Sequence, residues 1–64
     1  MTNTQVRALW ELCRQGLPLC ADEAEALWQR GDSYDLKRLP RVSRSLRRLI
    51  ECCNQEAHQK QMAS

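Results

Sequence analysis

Apolar residues recur along this chain at the spacing of helix turns. Val6, Leu9, Trp10 and Cys13 stand at i, i+3, i+4 and i+7, one side of a helix that Thr2, Asn3 or Thr4 can cap and that Gly16 ends. Leu17-Pro18-Leu19 reads as a tight connection, because proline has no amide hydrogen and pushes its predecessor towards extended geometry. A second, short helix is expected from Ala21-Asp22-Glu23, whose acids suit the positive end of a helix dipole. Its inner face is Cys20, Ala24, Leu27 and Trp28, with Gly31 as a left-handed cap. Asp32 or Ser33 then caps a further turn from Tyr34 to Leu39, and Pro40 is placed to open the final helix.

That final helix carries the clearest pattern. Val42, Leu46, Leu49, Ile50, Cys53 and Ala57 fall within about 120° of arc, an apolar stripe sustained for more than four turns. Arg41, Arg44, Arg48, Glu51 and Gln55 occupy the wet side. The pattern predicts an all-α protein of two to three helices, one domain over residues 1–64, with a loose polar tail from about 58 to 64. A chain of this size buries only about 60% of the surface its unfolded form exposes, so the core needs reinforcement. The stripe from Val42 to Ala57 is therefore expected to be a dimer interface, joining two copies as an intertwined or antiparallel helical homodimer. Ala8-Leu9-Trp10 is echoed by Ala26-Leu27-Trp28, and both tryptophans are assigned to the core because both lie on apolar faces.

Charge changes the picture. The first 36 residues carry six acids against three arginines, whereas residues 37–64 carry seven bases against two acids, so a net charge of +2 conceals a dipole. Lys37, Arg38, Arg41, Arg44, Arg47 and Arg48 lie in a run of twelve positions that contains no acid. A run of this kind has three readings: a solvated helix face, a nucleic-acid backbone contact, or an anchor for an acidic or mixed protein surface. The third is favoured, since an acidic half would repel DNA and a recognition helix would not carry a full apolar stripe. Tyr34 joins it, because no apolar periodicity claims that ring for the core; packing over a helix end is its alternative role. The expected partner-binding residues are Tyr34, Lys37, Arg38, Arg41, Arg44 and Arg48.

Chemistry is sparse by comparison. The single histidine, His58, sits in the polar tail, and no P-loop, G-x-G-x-x-G or H-E-x-x-H is present. Asp32 and Asp35 read as cap and first-turn charges, so no enzyme, cofactor or metal is expected. Cys13, Cys20, Cys52 and Cys53 include an adjacent pair and no C-x-x-C. They read first as packed, reduced thiols; a metal site drawing on Cys13, Cys20, Cys53 and His58, or disulfides, remain open. No apolar run approaches the ~18 residues of a membrane span, and the first residues lack a leader pattern, so no membrane partner and a cytoplasmic setting are expected.

Leu9-Trp10-Glu11-Leu12-Cys13-Arg14-Gln15-Gly16-Leu17-Pro18-Leu19, with the basic run, resembles the small phage-encoded helical proteins that disable host regulators, among them the anti-activators of quorum sensing from Pseudomonas phages. The resemblance implies a stoichiometric, non-enzymatic inhibitor in the host cytoplasm. Its partners would be a second copy and a host protein, such as a LuxR-type transcription factor. No functional residue is carried across from it. The rival expectation is a small dimeric DNA-binding repressor using residues 37–48.

Overall fold

Three helices and one 3₁₀ turn follow one another in the computed structural model, which describes residues 2–63 and their side chains as far as Gln59. No strand occurs among the described residues. Helix α1 spans Asn3–Arg14, α2 Pro18–Gln29 and α3 Arg44–Ala63, with the 3₁₀ turn at Leu36–Arg38. The all-α architecture expected from the apolar spacing is what the chain adopts.

Local chemistry accounts for each boundary. Thr2 opens α1 with a capping box: its hydroxyl accepts from the Gln5 amide at 3.2 Å, while the Gln5 side chain accepts from the Thr2 amide at 3.4 Å. The end of α1 and the end of α2 share one device. Gly16 and Gly31 adopt positive φ of 84° and 85°, and the following residue reaches back, Leu17 N–H to the Leu12 carbonyl and Asp32 N–H to the Leu27 carbonyl, each at 2.8 Å. This is the glycine-dependent C-cap that satisfies orphan carbonyls.

Two expected boundaries are corrected. Helix α2 starts at Pro18 rather than near Ala21, because a first-turn residue needs no intrahelical amide bond and the missing hydrogen of proline costs nothing there. Pro40 does not open α3. Leu39 is extended at ψ 139°, and the helix begins four residues after Pro40, at Arg44, capped by the Ser43 hydroxyl, which accepts from the Leu46 amide at 3.2 Å. Asp35, rather than Asp32 or Ser33, caps the 3₁₀ turn by accepting from the Lys37 amide at 3.0 Å. Helix α3 runs to Ala63, across most of the segment for which a loose tail was expected; Ser64 lies outside the described residues.

The core draws on every element. Ala8 and Leu12 of α1, Ala21, Ala24 and Trp28 of α2, Tyr34 of the loop, and Leu46, Ile50, Cys53 and Ala57 of α3 are all buried. Alanines let the helices approach, and Trp28, Tyr34 and Leu12 fill the space between them. Asn54 ties the assembly together. Its carboxamide oxygen accepts from the Trp28 indole N–H at 2.7 Å and from the Tyr34 amide at 2.8 Å, and its Nδ2 donates to the Tyr34 carbonyl at 3.0 Å. One half-buried side chain of α3 thus clamps α2 and the following loop.

Helices α1 and α3 run antiparallel. The Thr2 hydroxyl, at the start of α1, donates to the Glu56 carboxylate at 2.6 Å, whereas Trp10, nearer its end, lines a groove with Ser43 and Leu46. This packing turns most of the stripe expected as a dimer interface towards the chain's own α1 and α2. Leu46, Ile50, Cys53 and Ala57 are buried within one chain, Val42 is partly covered, and Leu49 is partly covered while also lining an open groove. Two short helices suffice to cover most of the stripe, because α1 and α2 form a hairpin that lies along it.

Candidate functional site

On α1 the outward side, not the inward one, is the unexpected one. Val6, Leu9, Trp10 and Cys13 were expected to face the core; instead Ala8 and Leu12 do, with only Leu9 of the expected set partly covered. Trp10 is 64% exposed and Val6 49% exposed. At 100° per residue, Trp10 points about 160° away from both Ala8 and Leu12, so burying those two turns the indole outward. Small Ala8 beside Leu12 lets α1 settle closely on α2 and α3, which the bulk of Trp10 and Val6 would prevent.

The residues so exposed meet α3 in an open groove of about 600 Å³, lined by Val6, Arg7, Trp10, Ser45, Leu46 and Leu49 among others. It continues past Arg7 and Leu49 to Arg48 and Cys52. Next to it, Arg44, Arg47, Arg48 and Glu51 line a shallow basic depression. No α2 residue lines any of the three, so this whole side of the α1 and α3 pair is uncovered. Over the Trp10 ring sits the Arg14 guanidinium, its carbon 5.7 Å from the centroid, a cation–π arrangement that leaves the other ring face open.

The expected partner-binding set divides in this geometry. Tyr34 is 2% exposed and belongs to the core, a correction with a plain cause: its backbone is clamped by Asn54 and its ring completes the packing. Burial first, then the neighbouring Cys20 thiol and the Glu23 carboxylate, push its phenol from the usual 10.0 up to about 12, against the opposing pull of Arg38. Arg38 lies 3.9 Å from Glu23, an exposed pair that holds the 3₁₀ turn near α2 and contributes at most about 1 kcal/mol. Lys37 and Arg41 are exposed, on the 3₁₀ turn and the connecting loop. Only Arg44 and Arg48 come together, with Arg47 beside them. Among the described residues the ion pairs engage Arg14, Arg30 and Arg38, leaving Arg7, Arg41, Arg44, Arg47 and Arg48 without a carboxylate partner.

Sequence reasoning missed Val6, Arg7 and Trp10 as surface features and gave Leu49 to a dimer interface. A signal was present. Ala8, Leu9 and Leu12 together with Val6, Trp10 and Cys13 make α1 apolar around most of its circumference, more than two neighbouring helices can cover.

The cysteines are free thiols: Cys13 and Cys52 exposed, Cys20 partly covered, Cys53 buried. Burial, then Glu56 and Cys52, push the Cys53 thiol from 9.0 up to about 12. Among the described residues no three His, Cys, Asp or Glu side chains gather into a metal-holding group. No described helix is long and apolar enough to cross a membrane. What the uncovered side offers a ligand is apolar contact flanked by guanidinium donors. Comparison with protein-family models, curated proteins and solved structures finds no match to this chain.

Proposed function

We propose that this chain is a non-enzymatic binding protein that inhibits a host regulator, such as a LuxR-type quorum-sensing activator, by occupying its working surface. The observation that carries the reading is a groove floor of exposed Val6 and Trp10 with half-buried Leu49, lying beside unpaired arginines. Tryptophan and arginine together dominate the energetics of protein interfaces. Val6 and Trp10, 49% and 64% exposed, share one apolar patch with Leu49, and contiguous apolar patches mark interaction sites. The resemblance to phage-encoded inhibitors supports the choice of a host regulator as the partner. In this proposal a single copy is the binding unit, since most of the stripe that could have joined two copies is used inside each; sedimentation should return a mass near 7.5 kDa.

The rival is a DNA-binding repressor, favoured by one observation: Arg44, Arg47 and Arg48 cluster on one side of α3. Salt separates the two. Capture of partners from a bacterial lysate, followed by titration of the purified regulator and of duplex DNA over a range of salt, is the test. A DNA complex should lose affinity with a log–log slope of about 0.9 per phosphate neutralised, and a protein complex with an apolar floor much less. Inhibition of the regulator without salt-steep DNA binding is the expected result; DNA binding alone would displace the proposal.

A further inference from the structure

The groove has a shape and a charge that together specify an occupant. Helices α1 and α3 lie antiparallel, α2 covers one side of the pair, and the other side is an open channel. From Ser43 to Cys52 the channel follows α3 for about 13 Å, two to three turns of a helix laid alongside. A fourth helix set there would complete a four-helix bundle. Its inner side would need to be apolar to meet Val6, Trp10 and Leu49. Its flanks would need to be acidic, because the rim carries Arg7, Arg44, Arg47 and Arg48 against Glu11 and Glu51.

We propose that this groove takes an acidic amphipathic helix of the partner protein, its apolar side resting on Val6, Trp10 and Leu49 and its carboxylates reaching Arg7, Arg44 and Arg48. The assignment rests on the protein-binding reading above and gives that reading a partner chemistry. A second copy of this chain is a poorer occupant. Its acid-bearing helix is α2, whose apolar side, Ala21, Ala24 and Trp28, is already buried in its own core, leaving Leu19 as the exposed large apolar residue there. Nucleic acid is poorer too, since phosphates gain nothing from the apolar floor and would meet Glu11 and Glu51 at the rim.

The probe is a synthetic helix of about five turns with Leu on one side at i, i+3 and i+7 spacing and Glu along both flanks, labelled for fluorescence anisotropy; the control replaces each Glu by Lys. The Glu-flanked helix should bind and shield Trp10 from iodide quenching, and the Lys-flanked control should not bind. Trp10→Ala and Arg48→Glu should each weaken binding by about tenfold or more, with unchanged helical circular dichroism and melting, as both side chains are exposed. Equal binding of the control, or wild-type affinity in Trp10→Ala, would overturn the assignment. So would competition by duplex DNA, or a doubled sedimentation mass that Trp10→Ala abolishes. If the captured regulator binds Trp10→Ala as tightly as the wild-type chain, the groove assignment falls and the inhibitor reading stands. If the Glu-flanked helix binds as described while the regulator keeps its activity, the inhibitor reading falls and the groove assignment stands.

Discussion

The same tripeptide, Ala-Leu-Trp, occurs in α1 and α2 with opposite outcomes. In α1 Ala8 is buried and Trp10 is 64% exposed; in α2 Ala26 is exposed and Trp28 is 1% exposed. The difference lies in what each helix meets. Trp28 shares its side of α2 with Ala21 and Ala24, and Asn54 stands opposite to accept its indole hydrogen at 2.7 Å. Trp10 shares its side with Val6, and no helix of the chain lies over that side. One tryptophan holds the fold together and the other stands in solvent. A Trp on an apolar helix face is thus not evidence of a core position until the number of covering helices is known.

The comparison can be broken most forcefully from the core side. Ile50→Asp should unfold the chain, since an unpaired carboxylate in the stripe costs several kcal/mol against the roughly 3 to 5 kcal/mol such a small core supplies. Loss of helical circular dichroism at neutral pH is the readout, and a folded mutant would mean that the stripe is not packed in the way described. Trp28→Ala should cost about 3 to 5 kcal/mol in denaturant unfolding, because it empties the largest buried volume. Asn54→Ala comes next. It leaves the Trp28 indole and the Tyr34 amide without their acceptor, at about 1 to 3 kcal/mol, and should loosen amide exchange in the Asp32 to Asp35 loop before it affects α1.

Alkali sharpens the same contrast. Tyr34 and Cys53 are both held protonated by burial, each pushed up to about 12 from 10.0 and 9.0. Groups raised in this direction stabilise the fold fully below their unfolded values and lose that contribution as pH rises towards the folded ones. Denaturant midpoints should therefore fall between about pH 9 and about pH 12, and Cys53→Ala should delay the onset towards about pH 10, where Tyr34 alone remains. A flat profile over that window would place these groups in water. The smallest effect is expected at Trp10→Ala, within about 0.5 kcal/mol of the wild-type stability. A large drop in melting temperature there would erase the distinction between the two tryptophans.

Much of this architecture was legible from spacing. Helix ends are local events, and Gly16 and Gly31 do their work with atoms a few residues away, so they could be read directly, while Thr2 was one of three neighbouring caps the spacing allowed. The apolar side of α3 was equally clear, since only one stripe runs along it. Reading failed at Pro18 and Pro40 because proline is compatible with both a helix start and the residues before one; α2 starts at Pro18 with no side-chain cap, whereas Ser43 caps α3 beyond Pro40. It failed at Tyr34 because the reason for that burial, Asn54, lies twenty positions away in a polar-looking stretch.

The chain's own pattern therefore determined that it would be two to three helices with glycine stops, a basic segment and a long amphipathic end. Periodicity states which residues share a side, and it is a property of each helix alone. Only the tertiary structure decided which of the two apolar sides of α1 would be covered, that most of the α3 stripe would be packed within one chain, and that Trp10 would stand open in a groove shared with Arg7. Those outcomes depend on how closely two helices can approach, and the small side chain of Ala8 permits an approach that the bulk of Trp10 does not.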